Sequence, residues 1–226
     1  MVSFHPDSRF LTDFAAGSLP LSEAVCVAAH LEFCPKCRSH VQQLGDLAAQ
    51  MMARLEPEAA DDKGFDQLMA RIEAGDEEQQ DEIFVATPPP SGLVTGMPRV
   101  VQKLSRGAMS DLRWVQLGRS LRVAPLSVGK HERQTAIYDI KAGGRMPEHE
   151  HRGEEITVLL KGSFSDADGK YVRGDFVVRH EGERHQPTAT LDTDCLCLVS
   201  LAAPIRPSSW LYRVMEPLIN LRLSGV

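Results

Sequence analysis

The stretch GGRMPEHEHRGEEITVLLKG, residues 143–162, decides the fold of the second half of the chain. His149 and His151 lie two apart, so along a strand both imidazoles project to one face. Glu155 opens the apolar run that follows and can close the ring from the next strand. Downstream, GDFVVRHEGERH, residues 174–185, supplies a glycine turn, a strand, a second turn at Gly182 and then His185.

The two stretches resemble the paired metal-binding motifs of the cupin family, small β-barrels of the jelly-roll kind. The resemblance implies a site of three histidines and one carboxylate: His149, His151, Glu155 and His185. Such a set suits a divalent ion with at least one position left for water or a small ligand; zinc leads, and nickel, manganese and iron also accept these donors. Two positions depart from the family pattern, since His180 stands where proline is usual and Ala189 where asparagine is common. Neither is a ligand in that pattern.

The first 56 residues read as helices. Pro6 suits the first turn of a short helix over residues 7–16 that stops at Gly17, a second helix runs from about Ser22 to Phe33, and Pro35 opens a third that reaches about Leu55. His30, Cys34 and Cys37 are spaced four and three apart and fall on one face of near-helical backbone, while the break at Pro35 lets both thiolates turn toward one ion. His5 can supply the fourth ligand. Two imidazoles and two thiolates make a closed structural zinc site, whose ion would contribute a large share of the folding free energy of so small a helical unit. His40, one turn past Cys37, is a rival ligand or a solvated helix residue.

His5, His30, Cys34 and Cys37 at this spacing are similar to the zinc-binding anti-sigma domain, and that domain followed by a cupin resembles the zinc-type anti-sigma factors. The resemblance runs from His5 to about Pro204. It implies an all-α helical head that sequesters an extracytoplasmic-function (ECF) sigma factor of the sigma-E kind. It also implies an all-β barrel that takes part in the response to singlet oxygen and related oxidants. Val41, Leu44, Leu47, Met51 and Met52 are the candidate sigma-binding surface, or equally internal core, because methionine-rich helices adapt on packing.

The expected organisation is a helical unit over residues 1–86, a linker over 87–97 and the barrel with its tail over 98–226. Phe65, Leu68, Met69 and Ile72 give an amphipathic helix. An acidic run from Glu73 to Glu82 and the stiff segment Thr87-Pro88-Pro89-Pro90-Ser91-Gly92 follow. From about Met97 short strands are expected at 114–117, 120–125, 134–141, 155–160, 174–179 and 194–202, with Asp168-Gly169 turning a hairpin between Phe164 and Tyr171. Trp210 to Leu223 is apolar enough for a terminal strand or helix. Cys195 and Cys197 share a strand face and are either small core residues or a redox or ligand pair.

The net charge is −6, and no Lys/Arg stripe forms, so direct binding of nucleic acid is not expected. The cysteine count is odd (Cys26, Cys34, Cys37, Cys195 and Cys197) and the first residues carry no signal-like segment, which leads to an expectation of a reducing, cytoplasmic setting. No apolar run approaches the roughly 20 residues that span a bilayer. The oligomeric state is not legible. A rival to the anti-sigma reading is a metal-dependent cupin enzyme, a dioxygenase or isomerase, with a fused zinc-binding head. Against it, no further acid–base cluster accompanies the histidines, and the expectation is of a non-enzyme.

Overall fold

The structure, a computed structural model, describes residues 2–56, 62–74, 96–105, 109–129 and 133–207. The proline-rich segment, the acidic run beyond Glu73, the expected domain boundary and the stretch from Trp210 to Leu223 lie outside these residues.

Three helices open the chain. In α1 (Ser8–Ala15) Asp7 is the N-cap, its carboxylate accepting from the Phe10 amide at 3.0 Å. Helix α2 (Leu21–Phe33) buries residues around most of its circumference, from Ser22 and Glu23 to Ala29 and His30. Cys34 ends α2 in extended backbone and is at once the N-cap of α3 (Pro35–Met52), with its sulfur 3.4 Å from the Cys37 amide and Pro35 in the first turn. Helix α4 (Asp62–Ala74) carries the expected amphipathic pattern.

The first element after the linker is a helix, not a strand. Residues 99–104 form α5 (Arg99–Leu104), and a 3-10 turn covers Met109–Asp111 before the first strand begins. No element was expected over these residues; Val101 is completely buried in the cluster that α2 joins, and this tertiary contact holds the helix in place.

Among the described residues twelve strands follow: β1 (Val115–Leu117), β2 (Leu121–Leu126), β3 (Gln134–Ile140), β4 (His149–Glu150), β5 (Glu155–Lys161), β6 (Ser163–Ser165), β7 (Lys170–Val172), β8 (Phe176–Arg179), β9 (Arg184–His185), β10 (Thr188–Ala189), β11 (Cys195–Leu201) and β12 (Arg206–Pro207). One antiparallel sheet runs β1-β2-β3-β11-β5-β8, and two smaller ones, β10-β6-β7 and β12-β4-β9, lie with it. The expected hairpin at Asp168-Gly169 joins β6 to β7 in register Phe164↔Tyr171.

Strand β5 explains how helices and sheet are joined. Every residue from Glu155 to Leu160 is buried, because both faces of the strand are covered. Leu159, with Val123, Val199 and Phe164, faces one apolar cluster inside the barrel. Ile156, Val158 and Leu160 point the other way, where with Ile137, Phe176 and Leu198 they share a second cluster with Phe10, Val25, Val27 and Ala29 of α1 and α2. The helical head is therefore packed on the outer face of the large sheet. Its apolar contact area is removed from water only when the barrel is present.

Two candidate metal centres at the ends of one strand

The head centre gathers His5, His30, Cys34 and Cys37, whose ligand atoms all lie within 4.8 Å of one another. The sulfurs of Cys34 and Cys37 are each 3.4 Å from His5 Nδ1. His30 is fully buried, and its Nδ1 donates to the Gly174 carbonyl at 2.7 Å. That bond leaves Nε2 as a bare lone pair aimed inward, with no protein partner. Burial pushes the Cys37 thiol up to about 12 and the His30 imidazole down to about 4. Without a cation the Cys37 thiol and the His30 imidazole are thus neutral; a bound divalent ion reverses the thiol preference by stabilising thiolate. Two nitrogens and two sulfurs in a closed, buried cluster fit zinc. His40 is exposed and takes no part.

The barrel centre brings together His149, His151 and His185 within the same 4.8 Å limit, all three buried. His149 and His185 face each other in the register of β4 and β9, with their Nε2 atoms 2.9 Å apart. His149 Nδ1 lies 2.9 Å from the Pro147 carbonyl and His185 Nδ1 lies 3.1 Å from Asp166 Oδ2. Both acceptors lack a proton, so each Nδ1 carries the hydrogen and both Nε2 atoms present lone pairs to each other. Two lone pairs at that distance repel unless a cation sits among them. Both ring nitrogens of His151 lack partners as well. Burial, followed by the neighbouring imidazoles, lowers His151 to about 3, and burial, then His149, lowers His185 to about 4. The histidines are neutral at pH 7, the form that binds a metal.

Glu155, expected as the fourth ligand, stands one step outside this trio. Its Oε2 is 3.7 Å from His151 Nδ1, and its Oε1 accepts from the Thr157 hydroxyl at 2.9 Å. Burial raises its carboxyl to about 7. Asp166 was not singled out from the sequence, yet its fully buried carboxylate joins His185 to Arg179, whose Nη2 is 2.8 Å away. A carboxylate behind a ligating histidine fixes its tautomer and ring orientation. His180 is exposed, and Ala189 is buried in β10.

Cys195 and Cys197 both point into the barrel, their sulfurs 3.6 Å apart, beside a bulge in the pairing of β11 with β5. Their hydrogen bond, and then burial, raises the Cys197 thiol. Cys197 lines a small interior cavity with His149, Glu155 and His185. Its volume is about 20 Å³, room for a water-sized molecule.

Of the expected sigma-binding residues, Val41 and Leu44 pack against the shared cluster, whereas Leu47, Met51 and Met52 are exposed, Met52 to 72%. The structure adds a second apolar surface on α4, where Phe65 is 61% and Ile72 63% exposed, with Leu68 and Met69 alongside. The hydrophobic pattern of α4 was legible in sequence; that no described residue covers it was not. No helix among the described residues is long and apolar enough to cross a membrane.

A helical head with a His₂Cys₂ cluster, seated on a cupin-like barrel with a histidine trio, defines a class. Residues 103–204 match the family described as the ChrR cupin-like domain. Over its whole length the chain is similar to the anti-sigma-E factor ChrR of Cereibacter sphaeroides, with 28% identity across 97% of this chain and 99% of that relative. It is also similar to a chain in the crystal structure of Rhodobacter sphaeroides SigE in complex with the anti-sigma ChrR, with a TM-score of 0.74 and 27% identity, covering 89% of this chain and 100% of that one. The likeness to a ChrR-type anti-sigma factor thus embraces head and barrel together.

Proposed function

We propose that this chain is a cytoplasmic anti-sigma factor that sequesters an ECF sigma factor of the SigE kind and releases it under oxidative stress. The observation that carries the reading is the end-to-end similarity to ChrR, whose structure is known in complex with SigE. Physical support comes from the exposed apolar faces at the end of α3 and along α4, which together exceed what an isolated surface residue explains. His5, His30, Cys34 and Cys37 hold zinc and fix the angle between α2 and α3. His149, His151 and His185, with Glu155 in reserve as a fourth donor, hold a second divalent ion, zinc foremost.

In this reading the barrel is the sensor for singlet oxygen or related oxidants. A peroxide ROOH entering beside Cys195 and Cys197 would take both thiol protons and two electrons, leaving a disulfide, ROH and water. Closing the present 3.6 Å gap to a bond moves β11, which packs on both apolar clusters. Acidic net charge and the absence of a basic stripe agree with a protein partner and no direct contact with nucleic acid.

The enzyme reading has the metal-ligand chemistry in its favour. Against it stands the similarity to an anti-sigma factor over 97% of this chain. Transcription by RNA polymerase with an ECF sigma factor of the SigE kind tests the proposal. Added full-length protein should silence transcription, and oxidant should restore it. Unaffected transcription would reject sequestration, and silence that persists through oxidant would reject sensing.

A further inference from the structure

Strand β8 is common to both centres. At its start the Gly174 carbonyl receives the His30 hydrogen bond at 2.7 Å. Asp175, wholly buried, accepts at Oδ1 from the amides of Ser3 and Phe4 at 2.7 and 3.1 Å, and at Oδ2 from the Val172 amide at 2.8 Å. The Phe176 amide then donates to the Phe4 carbonyl at 3.0 Å. Residues 3 and 4, which immediately precede His5, are therefore docked on the barrel, as is the ring of His30. Two of the four head ligands owe their positions to barrel backbone and to one barrel carboxylate.

At the far end of the same strand, Arg179 reaches Asp166, and the same Asp166 oxygen receives His185 Nδ1. Between these ends lie Phe176 and Val177, both buried and paired with β5. A strand so packed moves as one piece, because a close-packed interior has no slack to absorb a shift at one end.

We propose that β8 makes occupancy of the two centres a single linked equilibrium, with Asp175 as the positioning residue for His5 and Asp166 as the positioning residue for His185. The inference rests on the metal reading of both clusters. When the barrel centre is empty, the facing Nε2 lone pairs of His149 and His185 push apart. His185 then draws on Asp166, Arg179 follows, and the displacement of β8 loosens the Ser3–His5 segment and His30. Loss of the ion from the head works back along the same contacts. Coupling between sites is reciprocal and commonly amounts to about 5- to 150-fold in affinity.

The test uses the full-length chain loaded with cobalt(II), whose thiolate-to-metal charge-transfer absorption reports Cys34 and Cys37. Chelator competition gives the head affinity, first in wild-type protein and then in a His151→Ala variant that empties the barrel centre. The head affinity should fall by at least about 5-fold, and Cys37→Ser should lower the barrel affinity by the same factor. In Asp175→Asn, head affinity should drop while the coupling factor shrinks toward one, an outcome that a general loss of stability would not give. Should His151→Ala misfold, wild-type protein carrying one and two equivalents of cobalt supplies the same comparison. Equal head affinity with the barrel filled or empty overturns the proposal and leaves the metal reading intact. Absence of any thiolate absorption overturns both.

Discussion

His30 Nδ1 and the Gly174 carbonyl oxygen lie 2.7 Å apart across the junction between head and barrel, so a candidate ligand of one centre is oriented by a turn of the other half of the fold. Gly174 has φ +93°, and a Cβ there would come within 2.7 Å of Val2 Cγ2 and 2.8 Å of Phe33 Cβ. Gly174→Ala should therefore destabilise the protein by about 1–2 kcal/mol for the left-handed backbone alone, with more from the clash. Thermal unfolding of variant and wild type checks this. A change under half a kcal/mol would mean that the head is not seated as described.

Arg133 is a second fastening at that junction. Its side chain is nearly buried and reaches Glu23 of α2 at 3.1 Å, Glu154 at 3.4 Å and the Ser200 hydroxyl at 3.0 Å. Arg133→Met should cost about 3–5 kcal/mol, because it leaves the Glu23 carboxylate buried without its cation. Chemical denaturation measures the loss.

The same pair sets a pH dependence. Burial raises the Glu23 carboxyl above its ordinary value and Arg133 opposes the rise. For a carboxyl whose folded-state pKa is raised, ionisation costs stability above the folded pKa, and that cost vanishes once the pH falls below the ordinary carboxylate value. Removing Arg133 lifts the folded pKa further, so the deficit of Arg133→Met relative to wild type should shrink as the pH is lowered from 7 toward 5. Denaturation at both values decides it; a deficit that grows on acidification would contradict the assignment.

Replacing Leu68 and Ile72 of α4 by Asp should leave thermal stability within about 0.5 kcal/mol, as for surface positions free of special features. The same change should abolish retention of the sigma factor in pull-downs. Binding that survives would move the contact surface elsewhere, to Leu47, Met51 and Met52 first.

Chelation gives a further outcome. Removing metal should lower the unfolding temperature of the wild-type chain, since an ion bound only by the folded state contributes its binding energy to folding. In a Cys34→Ser, Cys37→Ser double variant most of that sensitivity should already be lost.

Parts of both clusters were legible in sequence from ligand spacing: two apart for His149 and His151, where β4 ends, and four and three apart for His30, Cys34 and Cys37, where α2 gives way to α3. Asp166 was not legible, for it lies in a polar hairpin whose DADG reads as turn chemistry alone. The docking of head on barrel left a weaker trace. Helix α2, LSEAVCVAAHLEF, is apolar around most of its circumference, and β5 runs ITVLL without the alternation of a strand that has one wet face. Each pattern signals cover on two sides, but neither says which element does the covering. The helix at Arg99–Leu104 escaped for the same reason, since burial of Val101 and not its local propensity decided it.

The most direct test of the account is a native mass spectrum of the complex purified after co-expression of the full-length chain with an ECF sigma factor of the SigE kind. The account predicts one sigma factor per chain, with one zinc retained by the His5, His30, Cys34, Cys37 cluster and a second divalent ion in the barrel. A chain that emerges without sigma factor, or a complex that persists when that cluster carries no ion, would contradict it.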